Sequence, residues 1–151
     1  MCQKLELDLK LNLILQELIN HLSDILSSKY SIDFFVTFDK PEIVLNDYIV
    51  KTTIIMTLKE VPNDQLHELP DLSFYVSTTN FEAFIRYEPK YDDPENITQV
   101  NLYINYILII PLEAVEKYPS LDLNEYLLQI SEDIASFVEK VLKALQHFID
   151  I

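Results

Sequence analysis

Three histidines, one cysteine and 25 acidic side chains are the groups in this 151-residue chain that could do chemistry. His21, His67 and His147 are too far apart in sequence for a local metal-binding motif. His67 sits beside Glu68, but a histidine next to an acid is too common a pair to mark a general base. Cys2 has no second thiol, so neither an internal disulfide nor a multi-thiolate zinc site can form. Acid pairs such as Asp92-Asp93 and Glu132-Asp133 are expected from composition, and glycosidase chemistry needs two acids facing each other across a cleft. No local Ser/His/Asp signature is present. The expectation is therefore a non-enzymatic chain, with no catalytic, cofactor-binding or metal-ligating residue assigned and no cofactor.

The chain contains no glycine, where about ten would be expected at an average usage of ~7%. Glycine lets backbone approach a phosphate or adopt a positive φ without a steric penalty. Its absence excludes the Walker loop, the GxGxxG dinucleotide turn, the GxSxG nucleophile elbow and the kinase glycine loop.

Acids outnumber bases by 25 to 11, for a net charge of -14. The excess is spread over the whole length, -4 in residues 1–50, -5 in 51–100 and -5 in 101–151. Such a surface repels phosphate backbones and anionic headgroups, so direct nucleic-acid or membrane-surface binding is not expected, whereas a basic protein would be steered towards it. Nine tyrosines could stack bases, but that use calls for accompanying cations and Arg86 is the single arginine. The first ten residues lack the continuous apolar region of a signal peptide, and no stretch reaches about 18 apolar residues. The reading is a cytoplasmic protein.

Those side chains must be positioned by regular elements, and the apolar spacing supplies them. Leu7, Leu11, Ile14, Leu15, Leu18, Leu22, Ile25 and Leu26 trace one helix face over residues 7–28. Leu5, Leu7, Leu9, Leu11 and Leu13 also alternate with polar residues as a strand would; leucine's helix propensity favours the helix. From residue 31 the period becomes two. Ile32, Phe34, Val36 and Phe38 mark one strand. A long one spans about residues 43–61, with Asn46-Asp47 as a turn or bulge. Leu72, Phe74 and Val76 form a third run, and Phe81, Ala83, Ile85 and Tyr87 a fourth. The last run is Val100, Leu102, Ile104, Tyr106, Leu108 and Ile110.

Asn46, Asn63, Asn80 and Asn96 stand at expected turns, asparagine being the non-glycine residue that best tolerates the left-handed region. Loops at residues 62–71 and 88–97 hold four of the seven prolines, which stiffens them. Pro111 should open a short helix, and Asp122 with Glu125 reads as the capping box of a long one. Its buried stripe would be Leu123, Leu127, Ile130, Ile134, Phe137, Val141, Leu145 and Phe148.

The fold class that follows is α+β in a single domain over residues 1–151. A mostly antiparallel meander of four or five strands carries the N-terminal helix and the C-terminal short and long helices on one face. Lys51, Thr53, Thr57 and Lys59 with Asn101, Tyr103 and Asn105 would form the opposite, solvated face. The element order is similar to that of RWD domains, and Tyr87-Glu88-Pro89 with Pro94 faintly resembles their Tyr-Pro-x-x-x-Pro turn. That resemblance implies a protein interaction module.

Two features point to a partner. Leu5, Leu9 and Leu13 fall opposite the main stripe of the first helix, leaving its start apolar on two faces, as for a homodimer or partner contact; the alternative is a strand at residues 4–13 added to the sheet edge. Glu60, Asp64, Glu68 and Asp71 lie in one proline-stiffened region, while Glu113, Glu116, Asp122, Glu125, Glu132, Asp133 and Glu139 face only Lys117 within residues 113–139. Carboxylates fixed on ordered backbone can imitate a row of phosphates. The function expected is an acidic inhibitor, antagonist or immunity-type protein that masks a basic partner protein, nucleic-acid-handling proteins being one class of candidate. The alternative is a structural subunit or assembly chaperone that docks or dimerises through the leucine-rich helix.

Overall fold

The structure, a computed structural model, describes residues 2–71, 73–120 and 123–149. The elements in order are α1 (Cys2–Lys29), β1 (Phe34–Phe38), β2 (Glu42–Val44), β3 (Asp47–Pro62), a 3-10 turn (Asn63–Glu68), β4 (Tyr75–Ser77), β5 (Phe81–Lys90), β6 (Asp93–Pro111), α2 (Leu112–Lys117) and α3 (Asn124–Leu145). The architecture is α+β with an antiparallel sheet. Residues 4–13 are helix, so the alternation of leucines there is not a strand. Their three-and-four continuation into Leu11, Ile14, Leu15, Leu18 and Leu22, each at most 5% exposed, gives the helix a face to bury.

The sheet has six strands in the order β1-β3-β6-β5-β4, with β2 paired to β3. It departs from a simple meander because β6 lies beside β3. Thr53 bonds Asn105 and Thr57 bonds Asn101, so the two strands run antiparallel. The expected long strand from residue 43 is broken into a hairpin whose two-residue turn is Leu45-Asn46. Leu45, rather than the asparagine, takes the positive φ of 57° and is 91% exposed. The stretch expected as a loop at 88–97 is instead the end of β5 and the start of β6. Pro89 is accommodated because β4 pairs with β5 only as far as Phe84, so no ladder bond needs its missing N–H. Tyr87, Glu88 and Pro89, which echoed the RWD turn, therefore lie within a strand.

The chain divides into two compact units. One comprises Met1–Ser31, Asp39–Lys51 and Leu108–Phe137. Its core joins the α1 stripe to Tyr48, Val50, Leu108, Ile110, Val115, Leu127 and Ile134, all buried. The other comprises Ile32–Phe38, Thr52–Ile107 and Val138–Ile151. Here the even-numbered face of β3 and β6 (Ile54, Met56, Val100, Leu102, Ile104) is buried together with Val138, Val141 and Leu145 of α3.

Pro111 flanks α2 as its N-cap instead of occupying the first helical turn. Asp122, the expected cap of α3, and Leu72, expected in a strand, lie outside the described residues. Phe148 does not extend the α3 stripe. The helix ends at Leu145, the following turn changes the period, and Phe148 is 59% exposed while Ile149 is buried.

Candidate functional site

The first three turns of α1 hold the clearest unpartnered feature. A helix places residues four apart on one side, one above the next. Leu5, Leu9 and Leu13 form such a row at 63%, 58% and 56% exposure, while Leu11 between them is 2% exposed. Lys10 fixes this segment: its Nζ donates a 2.9 Å hydrogen bond to the Glu116 carbonyl in the last turn of α2 and lies 3.6 Å from Glu6. Further along, the Tyr118 hydroxyl donates to Glu17 at 2.7 Å. His21 Nε2 meets Asn124 Oδ1 at 2.8 Å, which makes His21 a satisfied structural residue. The row therefore stands on an anchored helix.

The acidic residues fall into two sets. Glu113, Glu116, Glu125, Glu132 and Asp133 belong to the first unit, and Glu60, Asp64, Glu68, Asp71 and Glu139 to the second. All ten are exposed. Three are ion-paired: Glu60 with Lys90 at 3.2 Å, Glu113 with Lys117 at 2.6 Å and Glu139 with Lys143 at 3.2 Å. Asp133 accepts from Gln129 at 3.0 Å. Lys117 thus holds the Glu113 carboxyl below its ordinary range, through its hydrogen bond first and its charge second.

Asp64, Glu68 and Asp71 lie in and after the 3-10 turn, and two residues that sequence reasoning did not assign hold this region. Asn63 Nδ2 donates to the carbonyls of Pro94 at 3.3 Å and Glu95 at 2.7 Å, and its Oδ1 accepts from Thr98 at 2.8 Å. Tyr87 donates to the Pro70 carbonyl at 2.8 Å. Burial, followed by the charge of Asp71, pushes the Tyr87 phenol up. The asparagine at a turn was the readable signal; its cross-strand bonds were not.

The odd-numbered face of β3 and β6 forms an internally bonded polar layer. Thr53 donates to Asn105 at 2.7 Å, and Thr57 donates to Asn101 at 2.9 Å. Asn105 and Tyr75 in turn donate to Glu82 at 3.1 and 2.9 Å, and these bonds hold its carboxyl below the usual range. Phe84 stacks on Tyr103 with ring centres 5.1 Å apart. The Arg86 guanidinium lies 5.1 Å from the first ring and 5.4 Å from the second. Tyr103 donates to Glu88; burial first, then that bond, pushes its phenol to about 12. The one arginine thus covers the aromatic pair that a stacked base would need.

His67 and His147 are exposed. No group of three or more His, Cys, Asp or Glu able to hold a metal occurs among the described residues. No helix among them is long and apolar enough to cross a membrane. No protein-family model, curated protein or solved structure matches the chain.

Proposed function

We propose that the protein is a non-enzymatic binding module that docks on a basic partner protein through Leu5, Leu9 and Leu13, in the manner of an acidic inhibitor, antagonist or immunity-type protein. The observation that carries this reading is the row itself: three leucines, each more than half exposed, on one line of an anchored helix. Contiguous exposed apolar side chains with a polar surround are typical of protein contacts. The surround here includes Glu6, Asp8 and Asn12.

Charge selects the partner. A second copy would bring another net -14 to the contact, and nucleic acid would bring phosphates. A basic protein, including one whose basic surface handles nucleic acid, gains from long-range attraction, and the leucines supply the short-range contact. Asp64, Glu68 and Asp71, exposed and outside the ion pairs, add to that field. The test compares partner binding by the wild type and by a Leu5→Ser/Leu9→Ser/Leu13→Ser variant over a salt series, since screening weakens attraction between exposed charges. Deleting residues 1–15 would be a poor substitute, because it removes the buried Leu11, Ile14 and Leu15.

A further inference from the structure

β1 and β4 are the outer strands in the order β1-β3-β6-β5-β4, so each has one side to which no strand of the described residues pairs. β4 is only three residues long, Tyr75–Ser77. β1 has five, Phe34–Phe38, and every one is Phe, Val or Thr. An unpaired edge is a template for another strand, and sheets commonly guard it with a charge, a proline, a bulge or extreme shortness. Within β1 there is no charge and no proline, and its register with β3 runs without a shift.

The pairing with β3 fixes which backbone groups face outward. Thr57 donates its N–H to the Asp33 carbonyl at 3.0 Å, and these two residues are opposite each other in the register that pairs Phe34 with Met56. Hydrogen-bonded and non-bonded pairs alternate along an antiparallel ladder, so Phe35 and Thr37 bond β3. The N–H and C=O groups of Phe34, Val36 and Phe38 therefore point to the open side, and no other element of the described residues supplies them a backbone bond. The side chains of these three lie on the core side, opposite Met56, Ile54 and Thr52, which are fully buried, yet all three are only partly buried themselves. The core layer thus stops one strand short of full cover. β1 and the stretch of β3 that it pairs with both belong to the second unit.

We infer that the edge of β1 accepts an extended segment of a partner protein as an added antiparallel strand, with apolar residues at alternate positions and a basic residue at each end. The segment exchanges backbone hydrogen bonds with Phe34, Val36 and Phe38, the mode of strand addition, and its apolar residues opposite these three extend the core layer. Charge selects the ends. Asp33 directly precedes β1 and Asp39 directly follows it; both are exposed, and neither is in an ion pair among the described residues. Two copies paired about Val36 would bring Asp33 of one beside Asp39 of the other at both ends, and like charges placed opposite destabilise a strand pair. A basic end residue meets the same aspartates favourably. Such a segment suits the basic partner proposed above, but its site is separate from the leucine row, so either reading can fail alone.

The experiment is amide hydrogen exchange followed by NMR on the full chain, with and without the capped peptide acetyl-Lys-Val-Thr-Val-Thr-Val-Lys-amide. In the free protein Phe35 and Thr37 should be protected while Phe34, Val36 and Phe38 exchange freely; saturating peptide should slow these three about tenfold or more. N-methylation of the central valine, whose N–H faces Val36, should weaken binding about tenfold or more, whereas N-methylation of a threonine, whose N–H points away, should not. Glutamates in place of both peptide lysines should weaken it by a similar factor, and Asp33→Lys/Asp39→Lys should reverse that preference. Both aspartates are exposed, so this variant should keep the wild-type melting temperature. The triple leucine-to-serine variant should bind the peptide as the wild type does. No saturable binding below about 1 mM, equal effects of the two methylations, indifference to the peptide's charge, or protection of the three amides on concentrating the wild type alone would each overturn the assignment.

Discussion

Lys10 Nζ lies 2.9 Å from the main-chain oxygen of Glu116, joining the leucine-bearing start of α1 to the C-terminal turn of α2. The last carbonyls of a helix lack intrahelical donors and carry the negative end of its dipole, so an ammonium satisfies both the hydrogen bond and the charge. Lys10→Met keeps the aliphatic stem and removes the donor. It should lower stability by about 0.5–1.5 kcal/mol in urea unfolding.

The two faces of α1 should respond in opposite ways to mutation. Replacing Leu5, Leu9 and Leu13 by serine touches side chains already more than half in water, and each change should alter stability by about 0.5 kcal/mol or less. Leu18→Ala, at a position with no exposure, should cost about 2–5 kcal/mol. Chemical denaturation of both variants checks the contrast. A large loss from the serine substitutions would mean that the row already packs within the folded chain.

Much of this arrangement could be read from the sequence because periodicity reports burial. The spacing of Leu11, Ile14, Leu15, Leu18 and Leu22 identified α1 and its inner face, and the same spacing left Leu5, Leu9 and Leu13 outside. Alternation likewise marked the buried side of β3 and β6. What periodicity does not encode is long-range pairing. The placement of β6 beside β3 depends on strand order, and the Thr53–Asn105 and Thr57–Asn101 bonds join residues far apart in the chain. Charge counting had a similar limit. It found the acids but could not show that Lys90, Lys117 and Lys143 neutralise three of them. Proline and asparagine were read as turn residues, yet Pro89 lies in a strand and the left-handed position went to Leu45.

Leu45 offers a direct test of local strain. A Cβ in the left-handed region costs roughly 1–2 kcal/mol, and glycine avoids it. Glycine also loses more entropy on folding, by roughly 0.5–1 kcal/mol. Since Leu45 is 91% exposed, little packing is lost. Leu45→Gly should therefore raise stability by up to about 1 kcal/mol, read as a higher melting temperature. A lower one would show that this hairpin does not strain its leucine.

The polar layer on the sheet should make stability depend on pH at both extremes. Hydrogen bonds from Asn105 and Tyr75 lower the native pKa of Glu82 from its ordinary 4.5. The unfolded chain therefore binds the proton first, and the stabilisation present above about pH 4.5 is lost as the pH falls through the lowered native value. Glu82→Gln should flatten that acid limb. At the alkaline end the Tyr103 phenol is raised from 10.0 to about 12. The unfolded chain loses this proton first, so stability should fall between about pH 10 and 12, and Tyr103→Phe should remove that part of the decline. Urea midpoints across the two ranges check both signs.

The central claim, docking of a basic partner on the leucine row, is tested most directly by sedimentation velocity. The measurement compares the purified wild type with the Leu5→Ser/Leu9→Ser/Leu13→Ser variant, each alone and with the protein the wild type captures from its native cell. The account predicts a wild type that is monomeric alone and forms a complex with a basic protein at low salt. That complex should weaken as ionic strength rises and be absent with the folded serine variant. Retention of the partner by the variant, an affinity insensitive to salt, or a wild-type dimer that the serine substitutions dissociate would contradict it.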